Sequence, residues 1–157
     1  MIRAKHKGAT TVEFAIVASV MLMILFGVIE FGRVMFVGNA LAESTRRGAR
    51  LAAVCPVGDP MPAQAAILAG ADGVSLIDAD LTVANVSIAY LDVNGAPVAN
   101  PAVNLAAIRY VRTSIVDYQQ QMLIPFIMPS FLMPSFAATL PAESLGYGPT
   151  PQAFVPC

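Results

Sequence analysis

Histidine is all but missing from this 157-residue chain: there is one, His6, near the start. Without a second, the rest of the chain cannot assemble a Ser/His/Asp nucleophilic set. Cysteine is nearly as scarce. Cys55 and Cys157 are the only two, so no His/Cys zinc cluster can form. No glycine-rich run has phosphate-cradling spacing, and Gly70-Ala71-Asp72-Gly73 reads as a turn. An acid/base pair would have to come from Asp78 and Asp80, which is thin support. These absences argue against an enzyme, and no cofactor or metal is expected. Charge is sparse and unevenly placed: residues 1–50 hold seven basic and three acidic side chains, net +4, and the remainder is net −5. An acidic C-terminal part argues against a nucleic-acid partner. Proline is absent until Pro56, which leaves the first third of the chain free to form one uninterrupted helix.

That helix is the main feature of the sequence. Hydrophobic residues make up 57% of the chain, and the mean hydropathy of +0.68 is high for a soluble protein. Phe14 to Ile29, which carries no charge, supplies much of it. Helical spacing from Ala9 to Val54 predicts a rod of roughly 70 Å at about 1.5 Å per residue. A hydrocarbon core takes up only about 30 Å, or about 20 residues, so the helix must continue beyond the bilayer. Its composition changes accordingly. Glu43, Arg46, Arg47 and Arg50 share one face. Val34, Val37, Leu41 and Leu51, with the small Gly48 and Ala52, supply an apolar face that must lie on something. Pro56 ends the helix by pushing the residue before it out of the helical region. Glu30 and Arg33, at i and i+3, read as a surface helix pair worth a few tenths of a kcal/mol. The apolar run passes into Phe26-Gly27-Val28-Ile29-Glu30 with no small-residue cleavage site, which disfavours a removable secretory signal.

A short basic tail, with Arg3, Lys5 and Lys7, precedes Gly8-Ala9-Thr10-Thr11-Val12-Glu13-Phe14. A basic leader, a glycine, and a glutamate at the fifth residue after it look like a prepilin-peptidase site. Together with the apolar run, Gly27-Val28-Ile29-Glu30-Phe31-Gly32-Arg33 and Arg46-Arg47-Gly48-Ala49-Arg50, the pattern resembles TadE-like minor pilins of the tight-adherence (Tad/Flp) branch of type IV pili. The resemblance covers about the first third of the chain. It departs from the family at Ala18-Ser19-Val20, where many members carry a proline. It implies cleavage between Gly8 and Ala9, and subunit assembly through Glu13 and Phe14. A carboxylate in apolar surroundings needs a partner, and the new ammonium on Ala9, of the same or a neighbouring subunit, would supply one. Read without the resemblance, Glu13 could equally sit among lipid headgroups, where the helix dipole favours an anion.

Beyond Pro56 the sequence reads as a small head. Pro56, Gly58, Pro60 and Pro62 mark a linker, and Ala63 to Ala69 a short helix closed by Gly70. Asp72, Asp78 and Asp80 lack calcium-loop spacing and read as solvated loop acids. Alternation over Ala84 to Tyr90 predicts a strand, and Asp92-Val93-Asn94-Gly95 a hairpin turn, with a return strand starting over 97–99. Ile108 to Tyr118 predicts a second long strand. In 119–141, Pro125, Pro129 and Pro134 forbid a second spanning helix. The apolar Phe126, Ile127, Phe131, Leu132 and Phe136 read as a loop completing the core, or else as an exposed patch that docks a subunit or touches the bilayer. Cys55 and Cys157 could form one bridge clasping the whole head, in an oxidising compartment. Two unrelated thiols are the alternative.

The expected fold is therefore α+β: a basic leader over 1–8, a long helix over 9–55 embedded in the membrane in its first half, and a small antiparallel sheet domain over 56–157. The resemblance implies a structural minor pilin or pseudopilin of a Tad (Flp) pilus, processed by a prepilin peptidase. It would be single-pass in the inner membrane, with its N-terminus cytoplasmic and its head periplasmic, or carried into the pilus. Its partners would be other pilins and inner-membrane assembly proteins. The alternative is an uncleaved single-pass envelope protein whose head binds a ligand or partner.

Overall fold

A computed structural model describes residues 7–123 and 130–147 together with Cys157. The residues before Lys7, expected to belong to a leader, and Pro125, Phe126, Ile127 and Pro129, lie outside the described residues.

Helix α1 runs unbroken from Lys7–Val54, 48 residues, about as long as its pattern predicts. It has two environments. From Gly8 to Ile29 nearly every side chain is exposed, including Phe14, Ile16, Met21, Met23 and Ile24. From Glu30 onward one face is covered by the head, burying Val37, Leu41, Gly48, Ala49 and Ala52. The apolar stripe read from the sequence is this covered face. Ser44 and Thr45 also lie on it. Both hydroxyls donate to the carbonyl of Leu41, at 3.0 and 2.6 Å, so neither is left unsatisfied.

The head is a three-stranded antiparallel sheet in the order β1-β2-β5, with β1 at Val86–Leu91, β2 at Tyr110–Ile115 and β5 at Phe136–Pro141. A two-stranded antiparallel ribbon, β3 (Gln119–Gln121) with β4 (Ser130–Leu132), stands beside it. The central strand alternates cleanly: Val111, Thr113 and Ile115 are buried, whereas Tyr110 and Arg112 face out. Arg112 donates from Nε to the Thr139 hydroxyl at 3.1 Å on that outer face, which is how a strand containing charges can still cover a core. The observed architecture is the α+β arrangement expected, because a helix apolar on one side and a sheet apolar on one side bury each other.

Two clusters form the core. One holds Val37, Leu41, Ile67, Leu81, Ile115, Tyr118 and Met133. The other, nearer the end of α1, holds Ala52, Tyr90, Ile108, Val111 and Leu145. Full burial of each large aliphatic contributes about 1.5–3 kcal/mol. At Gly48 the helix lies close against its cover. A Cβ there would lie 2.6 Å from the Ala66 Cβ, 3.0 Å from the Pro62 carbonyl oxygen and 3.1 Å from Thr113 Cγ2.

Several elements differ from their expected bounds. The short helix α2 spans Met61–Ala66, not 63–69. Asp59 accepts the Met61 N–H at 2.8 Å and starts it. Pro62 is tolerated because the first turn has no use for its missing donor. Leu68, with φ +50, has already left the helix before Gly70. The turn at 92–95 forms, with Gly95 at φ +78 and the Asp92 carboxylate accepting from Asn94 and Ala96. Its return is only a bridge at Pro97, and β1 instead pairs with β2, Val86 opposite Ile115. Pro97 and Pro101 each lack the N–H a continuing ladder needs. The long strand expected over 108–118 breaks at Asp117, whose φ of +55 turns the chain from β2 into β3. The segment read as a loop carries β4 and β5. Asp72 and Asp78 each cap their own turn, accepting from Val74 and Asp80.

Candidate assembly surface: the apolar helix and its junction with the head

The candidate site is the exposed half of α1 and the place where the head takes hold of it. Gly8, Ala9, Glu13 and Phe14 all lie in the first two turns and are all exposed, Phe14 at 73%. Ala9 and Glu13 are one helical turn apart, so they share a face. A Cβ at Gly8 would meet nothing within 4 Å, so no packing contact within the subunit calls for glycine there. The helix segment that follows is long and apolar enough to cross a membrane, and none of its most apolar window is buried by the head.

The junction lies at Glu30 and Arg33. The sequence suggested a surface pair, but the structure shows a link between helix and head. Glu30 is 7% exposed. Its carboxylate accepts from Arg33 Nη1 at 3.0 Å and from the Leu123 N–H, at 3.2 Å to Oε1 and 3.1 Å to Oε2. Arg33 also reaches the Gln121 carbonyl with Nη2 at 3.4 Å. Two charged side chains of α1 thus satisfy backbone groups where β3 ends. Sequence reasoning missed this because nothing local shows that a partner arrives from 93 residues away. The available signal was a glutamate directly after an uncharged run, where an anion has to be paired or hydrogen-bonded.

Above the junction the ribbon follows α1. A Cβ on Gly38 would sit 3.6 Å from Met133 Cε. Val34, Met35 and Gly38 with Phe131, Met133 and Phe136 line an apolar groove of about 420 Å³. Met133 is buried and Phe136 half-buried, so this part of the proline-rich segment completes the core, whereas Phe131 and Leu132 stay exposed.

At the other end of α1 the head caps the helix. The last carbonyls of a helix lack intrahelical donors. Here Glu143 N–H donates to Ala53 O at 3.0 Å, and Gly146 N–H and Ser144 Oγ donate to Val54 O at 2.6 and 3.1 Å. Cys55 follows directly and is disulfide-bonded to Cys157, closing a loop with a sequence separation of 102.

Residues 8–50 match the family described as TadE-like protein. The TadE-like segment coincides with α1 from the first exposed turn to the last arginine of its charged face. It takes in Glu13, the whole apolar run and the Glu30–Arg33 junction, but none of the head's strands. No curated protein and no solved structure matches the chain.

Two buried tyrosines have perturbed acidities. Burial, and then the nearby Asp78 and Asp80 carboxylates, push the Tyr118 hydroxyl well above its ordinary value. Burial also raises Tyr90. Among the described residues, the Tyr118 hydroxyl, the Thr113 hydroxyl and both amide atoms of Gln120 are buried and meet no hydrogen-bond partner at bonding geometry. Among the described residues no three His, Cys, Asp or Glu side chains converge as metal ligands would.

Proposed function

We propose that this protein is a structural pilin-type subunit. It is cut between Gly8 and Ala9 by a prepilin peptidase and packs beside other subunits of a Tad-type pilus through the exposed half of α1. The observation that carries the reading is that half-helix itself: from Gly8 to Ile29 it is left exposed by the described residues of its own chain, yet it is continuous with a helix that is the spine of a folded head. Lipid can cover such a surface in the membrane, and neighbouring helices can cover it in a fibre. The match of residues 8–50 to the TadE-like family supports the same reading.

Gly8 adds support. Packing against the described residues of the subunit gives no reason for a glycine there. A peptidase needing close backbone approach gives one. Once cut, the Ala9 ammonium would lie one turn from Glu13. A pairing of the two, within or between subunits, would neutralise a carboxylate in an apolar setting and set helix register. The chain would act as scaffold rather than catalyst, with other pilins and inner-membrane assembly proteins as partners, its N-terminus cytoplasmic and its head outside.

N-terminal sequencing of protein taken from the cell envelope tests the reading. The expected start is Ala9, and Gly8→Leu should leave the precursor uncut and abolish fibre incorporation. A mature chain that starts at Met1 or Ile2 would favour an uncleaved single-pass envelope protein instead.

A further inference from the structure

We propose that a groove between α1 and α2 receives the 70–76 loop of a second copy of this chain, so that two heads pair side by side, each loop in the other's groove. The pairing goes beyond the pilin reading and holds whether or not the chain is cut at Gly8. The groove has a volume of about 480 Å³ and is lined by Arg47, Arg50 and Leu51 of α1 and by Met61, Leu68 and Gly70. Apolar side chains and two exposed guanidiniums thus share one recess. Arg47 lies 3.6 Å from the Glu43 carboxylate. Arg50 has no ion-pair partner among the described residues.

The loop that leaves this groove is firmly built. Gly70 N–H donates to Val74 O at 2.8 Å and Leu76 N–H to Leu68 O at 3.1 Å. Ser75 Oγ donates to Ile67 O at 2.7 Å, and Asp72 Oδ1 accepts the Val74 N–H at 3.1 Å. Yet the loop holds Leu76 78% and Val74 45% exposed. A preformed loop that presents aliphatic side chains to water can be covered by a partner with little ordering cost. Its acid, Asp72, is exposed and has no ion-pair partner among the described residues. Loop and groove therefore complement each other: aliphatic side chains flanked by an unpaired carboxylate, and an apolar recess flanked by an unpaired guanidinium. Their placement makes a second copy the fitting partner. Leu68 and Gly70 line the groove, Leu76 is bonded to Leu68, and a Cβ on Gly70 would lie 3.5 Å from Leu76 Cδ2. Two complementary patches that adjoin on one side of a molecule suit a two-fold pair, in which each patch meets the other's counterpart. An axis parallel to α1 keeps both apolar half-helices pointing the same way.

Photocrosslinking of the full chain in the cell envelope tests the pairing. The photoreactive p-benzoylphenylalanine replaces Leu76, or, as a control, Val103, which is 84% exposed in the loop before β2. Irradiation of the first is expected to give a species of twice the chain's 16.5 kDa, whose peptides join position 76 of one copy to residues between Arg47 and Gly70 of the other. Charge reversal then tests the cross-pair. Arg50→Asp and Asp72→Arg should each lower the yield about tenfold or more, because like charges then face each other. The two changes combined in one chain should restore it, which a folding defect in either variant would not do. A yield from position 76 no greater than from position 103 would overturn the proposal. So would peptides that map outside the groove, or capture of lipid or of a different protein in place of a second copy. Single reversals that leave the yield unchanged, or a combined variant that fails to recover it, would overturn it as well.

Discussion

The carboxylate of Glu30 accepts the backbone N–H of Leu123 through both oxygens, at 3.2 and 3.1 Å, while Arg33 binds the same carboxylate at 3.0 Å. A residue at the end of the apolar run is thereby tied to the head far along the chain. This joint couples the membrane half of α1 to the orientation of the domain above it. Removing the carboxylate leaves a half-buried amide and a guanidinium without their acceptor. Glu30→Ala is expected to destabilise the ribbon by about 1.5–3 kcal/mol, the range for hydrogen bonds to a charged group. Amide exchange at Leu123 should rise while exchange in β2 is little changed.

At Gly48, α1 packs tightly against the head. Alanine in place of glycine would gain about 1 kcal/mol of helix propensity. The added methyl would meet Ala66 Cβ at 2.6 Å and the Pro62 carbonyl oxygen at 3.0 Å, and overpacking costs about 1–3 kcal/mol. Gly48→Ala should therefore lower the unfolding midpoint of the head. Gly27→Ala, where a Cβ meets nothing within 4 Å, should not. Denaturation of the two variants side by side in detergent checks the difference.

The bridge between Cys55 and Cys157 closes nearly the whole head. A loop of about 100 residues corresponds to about 4–5 kcal/mol in the chain-entropy description. Cys157→Ser, or reduction of the native protein, should lower head stability by several kcal/mol, up to about that limit. Both should leave the helicity of the apolar half of α1 unchanged. Unfolding curves with and without reductant, followed by circular dichroism, measure it. Equal curves would show that the bridge carries no stability.

Tyr118 is expected to contribute to a loss of stability at high pH. Its folded-state pKa is raised by burial and by Asp78 and Asp80, whereas in the unfolded chain it titrates near pH 10. Above that pH the unfolded state sheds the proton first, so stability is fully present below about pH 10 and falls as pH rises further. Tyr90, also raised by burial, adds to the same slope. Tyr118→Phe should flatten the alkaline loss. It should cost less than about 1 kcal/mol at neutral pH, because among the described residues the hydroxyl has no partner at bonding geometry and the nearby Asp78 is its weak contact at most. Unfolding midpoints from pH 7 to 11 for the two proteins test both parts.

From composition and periodicity alone the sequence determined that one long helix would run from about Ala9 to Val54, close to the observed Lys7–Val54, where its apolar and amphipathic halves divide, and which face of the second half is covered. Those features depend on spacing within one helix, where each residue's neighbours lie three or four positions away. The turn at Asp92–Gly95 was legible for the same reason, since its chemistry is local. Only the tertiary structure decided that β5 forms and pairs with β2, because Phe136 to Pro141 has little strand pattern of its own and takes its ladder from a neighbour 25 or so residues earlier. Only the tertiary structure turned Glu30 and Arg33 from a surface pair into the joint with the head. The groups they satisfy belong to backbone that no local pattern could place beside them.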